Sequence, residues 1–144
     1  MFFGEYEHTI DDKNRLTLPA RFRERLMPGI VLTRGLDACL DVYERVAWDG
    51  LVDARLAPLD PFSREARELK RFFFSAATDA ELDKQGRVLV QPALLRHAKL
   101  GREVVVAGVH DHLEIWDRGA WVEHLASVEG SADHVAERLA DRRG

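Results

Sequence analysis

The sequence predicts an α+β fold made of two tandem β-rich units, each carrying a short helix, joined by a longer linker helix. Three observations carry this prediction. The segment Asp11-Asp12-Lys13-Asn14-Arg15-Leu16-Thr17-Leu18-Pro19 recurs 72 residues later as Asp83-Lys84-Gln85-Gly86-Arg87-Val88-Leu89-Val90, with Gln91 read as an insertion before Pro92. A second echo sets Leu40-Asp41-Val42-Tyr43-Glu44-Arg45-Val46-Ala47-Trp48 against Leu113-Glu114-Ile115-Trp116-Asp117-Arg118-Gly119-Ala120-Trp121, at an offset of 73. Both copies also show the same succession of short extended segments and one helical turn, the signature of a duplicated supersecondary unit.

In the first copy, Glu5 to Ile10 is a short extended segment closed by the polar turn Asp11-Asp12-Lys13-Asn14. Arg15 to Leu18 alternates as a strand, with Leu16 and Leu18 on one side and Arg15 and Thr17 on the other. Pro19 suits a helix start, where its missing N–H costs nothing. Ala20 to Met27 then reads as a short helix with Phe22 and Leu26 one turn apart, stopped by Pro28-Gly29. Ile30–Thr33 and Leu40–Tyr43 complete a unit of four short strands. The second copy repeats the layout with strands at Ala76–Glu81, Arg87–Val90, Glu103–Gly108 and Leu113–Trp116, and a helix at Pro92–His97. Trp48 and Trp121 should each begin a helix that packs back on its own sheet.

Between the copies, Asp60-Pro61 reads as the cap and first residue of a helix running to Phe73, with Phe62, Ala66, Leu69, Phe72 and Phe73 as its buried face. The expected organisation is a first repeat over 5–47, a helical linker over 48–75, a second repeat over 76–119, and a C-terminal helix and tail over 120–144. A separate helix capped by Ser131 is expected through Ala140, weakly ordered or docked on another subunit. Each repeat is too small to sustain a core of its own comfortably, so the two should share one.

A 46% hydrophobic and 32% charged composition describes a globular protein rather than a disordered one. No run approaches the ~18 apolar residues of a membrane span, and Met1-Phe2-Phe3-Gly4-Glu5 does not resemble a signal peptide. The single cysteine, Cys39, excludes an internal disulfide framework, suits a reducing compartment and reads as a buried structural thiol. Net charge is −4, but it is unevenly spread. Residues 11–25 hold five basic side chains against three acids, residues 83–102 five against Asp83 alone, and the stretch from Asp111 onward four against eight. The basic residues follow the repeated motif, and a local patch can bind a polyanion whatever the total charge.

The Asp-x-x-x-Arg element is the leading candidate for function. Asp11 and Asp83 can each bond backbone N–H groups two or more residues ahead. Asn14 and Gly86 are the residue types that tolerate positive φ. Such turns project Lys13 and Lys84 and start a strand with Arg15 and Arg87, with Arg21 and Arg23 close by as further phosphate ligands. A salt bridge from Arg15 to Asp11 is a competing reading, compatible with the first, because a bridge can hold the arginine fork for phosphate or guanine. His110, His112 and Glu114 alternate like possible metal ligands, but no further cluster completes a site in the sequence, so no metal or other cofactor is expected. No phosphate loop, nucleophile elbow or zinc-protease motif is present, and no catalytic residue is expected.

With these residues in view, the chain resembles the MraZ family. The likeness runs from Met1 to about Ala126. It rests on Met1-Phe2-Phe3-Gly4, on Asp11-x-x-x-Arg15 followed by Leu-Thr-Leu-Pro-Ala-Arg-Phe-Arg, on Asp83-x-x-x-Arg87 followed by Val-Leu-Val-Gln-Pro, and on Glu114-Ile115-Trp116-Asp117 with Trp121. The resemblance implies two AbrB-like swapped-hairpin units in a pseudo-symmetric double-psi-like barrel, assembled into a homo-oligomeric ring. It also implies a cytoplasmic, nucleoid-associated regulator, usually a repressor, of its own division and cell wall operon. Its partner would be double-stranded DNA carrying short, G-rich direct repeats, with no membrane or small-molecule substrate involved. Arg15 and Arg87 take the DNA-binding role by motif position. Asn14 departs from the family's usual glycine while keeping the turn.

Three other readings compete. An AbrB-type antitoxin is disfavoured by the doubled unit and the long central helix. A ring-forming scaffold without DNA specificity would use its basic turns on acidic subunits. A metal-dependent enzyme would need His110, His112 and Glu114 to converge.

Overall fold

The computed structural model describes residues 1–143. The first repeat supplies β1 (Glu5–Thr9), β2 (Arg15–Thr17), a 3-10 turn (Ala20–Phe22) that runs into α1 (Arg23–Leu26), β3 (Ile30–Arg34) and β4 (Leu40–Glu44). α2 (Arg45–Leu51), a π-helical turn (Val52–Leu56) and α3 (Arg64–Phe74) lead to the second repeat. There β5 (Thr78–Ala80), β6 (Arg87–Leu89), α4 (Pro92–Ala98), β7 (Glu103–Gly108) and β8 (Leu113–Asp117) precede α5 (Arg118–Arg143). The chain is α+β with antiparallel strand pairing. Among the described residues no helix is long and apolar enough to cross a membrane.

The repeats exchange strands. One sheet has the order β1-β7-β8-β4-β3-β5, so β1 of the first repeat flanks β7 of the second, and β5 of the second flanks β3 of the first. β2 and β6 form a separate two-stranded ribbon, one strand from each repeat. A pseudo-twofold axis passes between β4 and β8, where Leu40 pairs with Ile115 and Val42 with Leu113. Alternation then decides the core. Leu16, Leu18, Val88 and Val90 point inward from the ribbon to meet Ile30, Leu32, Leu40, Val42, Val104, Val106, Leu113 and Ile115. Phe22, Leu26, Leu94 and Ala98 of the short helices join the same cluster. Burial of each large apolar side chain contributes roughly 1.5–3 kcal/mol, and neither repeat completes the cluster alone. A smaller cluster of Val31, Tyr43, Trp48 and Leu56, backed by Phe73, covers the other face of the sheet.

Four local expectations need correction. Pro92 is not the counterpart of Pro19. Pro19 and Gln91 are the helix N-caps, and their carbonyls accept from Phe22 N and Leu94 N at the same 3.0 Å. The 72-residue offset therefore persists into the helices, and the extra length falls after them. The helices expected to begin at Trp48 and Trp121 begin three residues earlier, at Arg45 and Arg118, directly off the strands. At the second of these starts Asp117 Oδ2 accepts from Ala120 N, whereas Glu44 precedes the first without a side-chain cap.

α3 starts at Arg64, not Pro61. Ser63 caps it through Ala66 N, while Asp60 closes a turn onto Phe62 N and leaves the Phe62 side chain 92% exposed. Finally, α5 runs unbroken through Gly130 and Ser131. Ser131 hydroxyl donates back to Ser127 carbonyl instead of capping a new helix. A single interior glycine costs about 1 kcal/mol, which a long helix tolerates.

Candidate nucleic-acid interface

The two motif turns have the same internal wiring. Asp11 Oδ1 accepts from Lys13 N and Arg15 N, both at 2.9 Å, and its Oδ2 accepts from Arg15 Nε at 2.7 Å. Asp83 Oδ1 accepts from Gln85 N and Arg87 N at 2.9 Å, and its Oδ2 accepts from Arg87 Nε at 2.8 Å. The backbone closes each turn from Asn14 N to Asp11 O and from Gly86 N to Asp83 O. Asn14 (φ 61°) and Gly86 (φ 76°) occupy the left-handed region at matching positions. The backbone N–H of the arginine is the largest cause holding each aspartate below the usual carboxylate range; burial opposes it, and the arginine side chain and the second backbone N–H add to the lowering. The aspartates thus remain anions that orient their arginines.

The ion pair engages Nε alone. Among the described residues the Nη groups of Arg15 form no hydrogen bond, and Arg87 Nη1 has only a 4.0 Å approach to Asp11 Oδ2 from across the ribbon. The competing salt-bridge reading and the binding reading are therefore both accommodated. The carboxylate fixes the plane of each guanidinium and leaves its forked end for another acceptor.

β2 and β6 bring the two turns into one surface. Arg15 pairs with Leu89, Leu16 with Val88 and Thr17 with Arg87. Leu18 N donates to Gly86 O and Val90 N to Asn14 O, so each turn sits at the end of the other repeat's strand. Arg15, Thr17, Arg87 and Leu89 share the outward face, opposite the core residues Leu16 and Val88. Arg15 and Arg87 are offset by two residues along the ribbon, about 7 Å at the rise of a strand.

Of the remaining predicted residues, Lys13 and Lys84 are exposed on the turns. Arg23 lies against the Gly86 turn, so a first-repeat cation covers a second-repeat loop. Arg21 is turned elsewhere, with its guanidinium 4.5 Å from the Phe3 ring and Nη1 donating to Tyr6 hydroxyl. Reading each repeat separately missed Leu89, which is 51% exposed beside Arg15. Its alternation with buried Val88 and Val90 was the available signal.

Of the three residues considered as metal ligands, His110 does not join the other two. His110 sits at φ 86°, which breaks the alternation, and its backbone is paired with Phe2. His112 instead faces Asp111, Asp41 and Glu114. Burial opposes its charge, but the surrounding carboxylates of Asp41, Glu114 and Asp111 prevail and the imidazole pKa is pushed up to about 10.

Comparison with known proteins agrees with the doubled architecture. The family described as "MraZ protein, putative antitoxin-like" matches the chain twice, over residues 1–72 and 73–143. A protein of Moorella thermoacetica named transcriptional regulator MraZ is 49% identical over 142 residues, 98% of each chain. A protein of the same name from Roseiflexus castenholzii is 46% identical over 143 residues, 99% of each chain. Another from Limosilactobacillus fermentum is 46% identical over 136 residues, 94% of each. The chain belongs to the MraZ family.

Proposed function

We propose that this protein is a sequence-specific DNA-binding transcription regulator, acting as a repressor of its own division and cell wall operon, and that the β2–β6 ribbon is its DNA-reading element. The observation that carries this reading is the paired use of Nε by Asp11 and Asp83, which orients two arginine forks on one exposed face. A major groove admits a two-stranded ribbon, and an arginine fork fits guanine O6 and N7. The offset of about 7 Å between the arginines equals two base steps at 3.4 Å each. Lys13, Lys84 and Arg23 would supply phosphate contacts, and Thr17 and Leu89 would meet the groove floor.

The strand exchange supports the swapped-hairpin, double-psi-like description of the two repeats, taken here as 5–47 and 76–119. A single ribbon offers few phosphate contacts and would bind weakly. A homo-oligomeric ring in the cytoplasm, docked on tandem G-rich promoter repeats at the nucleoid, converts later contacts into intramolecular ones.

A gel shift on the protein's own upstream region tests the proposal. Arg15→Ala and Arg87→Ala should each weaken binding at least tenfold with the circular dichroism spectrum and the oligomeric mass unchanged. Wild-type affinity in both variants would remove the ribbon from the interface.

A further inference from the structure

The pseudo-twofold axis creates a second constellation, on the sheet face away from the main core. Asp41 pairs directly with Glu114 across β4 and β8. Like charges placed opposite one another destabilise a sheet unless a cation joins them. Their side chains are only 13% and 21% exposed. Cys39, a free thiol in a residue 1% exposed, lies beside them, and one donor atom each from Cys39, Asp41 and Glu114 falls within 4.8 Å of the other two. His112 approaches from the second repeat, its Nε2 3.5 Å from Asp41 Oδ1 and 3.9 Å from Glu114 Oε2. Asp41 Oδ1 is fully buried without a hydrogen-bond partner among the described residues.

We propose that Cys39, Asp41, His112 and Glu114 form a site for one zinc-like divalent transition-metal ion. The symmetry of the fold generates the donor set. Cys39 and Asp41 occupy the same two positions of the first repeat that His112 and Glu114 occupy in the second, at an offset of 73. Each pair is an i, i+2 couple at a strand entrance, and the β4–β8 register sets Asp41 opposite Glu114, with Cys39 beyond one end of that carboxylate pair and His112 beyond the other.

The spacings of 3.5 and 3.9 Å are long for hydrogen bonds and close to the separation of about 3.4 Å between ligands around tetrahedral zinc. Thiolate and imidazole donors favour zinc, cobalt and similar ions over magnesium or calcium. The outer contacts fit as well. Asp111 Oδ1 lies 2.7 Å from His112 Nδ1, the carboxylate–histidine arrangement that orients a metal-binding imidazole. The Tyr43 ring stacks on His112 at 4.6 Å, and Trp116 Nε1 donates to Glu114 Oε1, which leaves Oε2 for the cluster. Ion binding displaces the Cys39 thiol proton and the His112 Nε2 proton to solvent. The result is two carboxylates and a thiolate around a dication. The imidazolium of His112 is the rival counter-ion, and the experiment separates the two.

The purified full-length protein is titrated with Co(II), and then with Zn(II) as competitor. One equivalent of Co(II) should bind with a thiolate-to-cobalt charge-transfer absorption that Zn(II) abolishes. Cys39→Ser should lose that absorption, and His112→Gln should weaken Co(II) binding at least tenfold. Zn(II) should raise the melting temperature of the wild type but not of either variant. If Cys39→Ser fails to fold, His112→Gln decides the matter alone. Folded wild type without the absorption would overturn the site and leave the imidazolium as counter-ion. Equal Co(II) affinity in His112→Gln, or the same absorption in folded Cys39→Ser, would place the ion elsewhere and overturn it too. None of these outcomes depends on DNA binding.

Discussion

Arg23 of the first repeat lies so close over Gly86 of the second that a Cβ added to Gly86 would collide with Arg23 Nε and stand 2.7 Å from its Cζ. The pseudo-symmetric counterpart of this contact is apolar. At the 72-residue offset Arg23 corresponds to Leu95, which shares a cleft with Asn14. The two turns therefore have matching backbones and different surroundings. The second carries Arg23 above it and Lys84 on it, whereas the first has Asp12 at the position of Lys84.

Gly86→Ala should consequently do two things. Its φ of 76° puts an alanine in a strained region at a cost of about 1–3 kcal/mol, and the new methyl group must push Arg23 aside. Urea denaturation should show a loss in that range, and a gel shift should show weakened DNA binding. Asn14→Gly, with the same turn and open surroundings, should stay within about 0.5 kcal/mol of wild type. Equal behaviour of the two substitutions would contradict the contact.

The aspartates offer a pH test. The folded-state pKa values of Asp11 and Asp83 lie below their ordinary value of 3.8, so their contribution to the turns is complete above that pH and is lost as pH falls through the lowered values. Carboxyl resonances of both residues should titrate below 3.8 by NMR. Arg15→Ala should return Asp11 only part of the way, because the largest cause is the backbone N–H of residue 15, which alanine also provides. Full return to the ordinary value would mean that the guanidinium dominates.

The sequence disclosed the duplication, the α+β class and the strand positions, since a period of two and a repeated turn are local signals. Strand exchange was implied by the family resemblance alone and not by any local pattern, because β1 alternates identically whether it flanks β3 or β7. The register after Leu18 and Val90 was misread because two prolines, Pro19 and Pro92, invite alignment. Only the N-cap hydrogen bonds of Pro19 and Gln91 show that they are not equivalent. At the candidate interface the turn chemistry could be read from Asp11, Asn14, Asp83 and Gly86. The union of both turns on one ribbon depends on the pairing of Thr17 with Arg87, which no local pattern encodes.

The two faces of the ribbon should respond in opposite ways to truncation. Leu16 is fully buried in the shared core, so Leu16→Ala should cost about 2–5 kcal/mol by chemical denaturation. Leu89 is on the outward face, and Leu89→Ala should leave stability within about 0.5 kcal/mol. The gel shift should report the loss of Leu89 instead. A destabilisation of Leu89→Ala comparable to that of Leu16→Ala would mean that the outward face is covered in the assembly.

Charge asymmetry between the turns yields the last test. Each phosphate neutralised by a lysine or arginine releases condensed counterions, and log K falls with log salt by about 0.9 per contact on duplex DNA. Lys84 is exposed on the more basic turn and stands where the first turn has Asp12. Lys84→Ala should therefore reduce the salt slope by about 0.9 per bound ribbon while leaving the preference among DNA sequences unchanged. Arg15→Ala and Arg87→Ala should instead narrow the gap between specific and non-specific DNA, because a fork on guanine carries sequence information and a phosphate contact does not. Titrations at about 50–200 mM salt separate the two behaviours. A flat salt dependence in the wild type would remove phosphate contacts from the interface, and with them the role assigned to the basic turns.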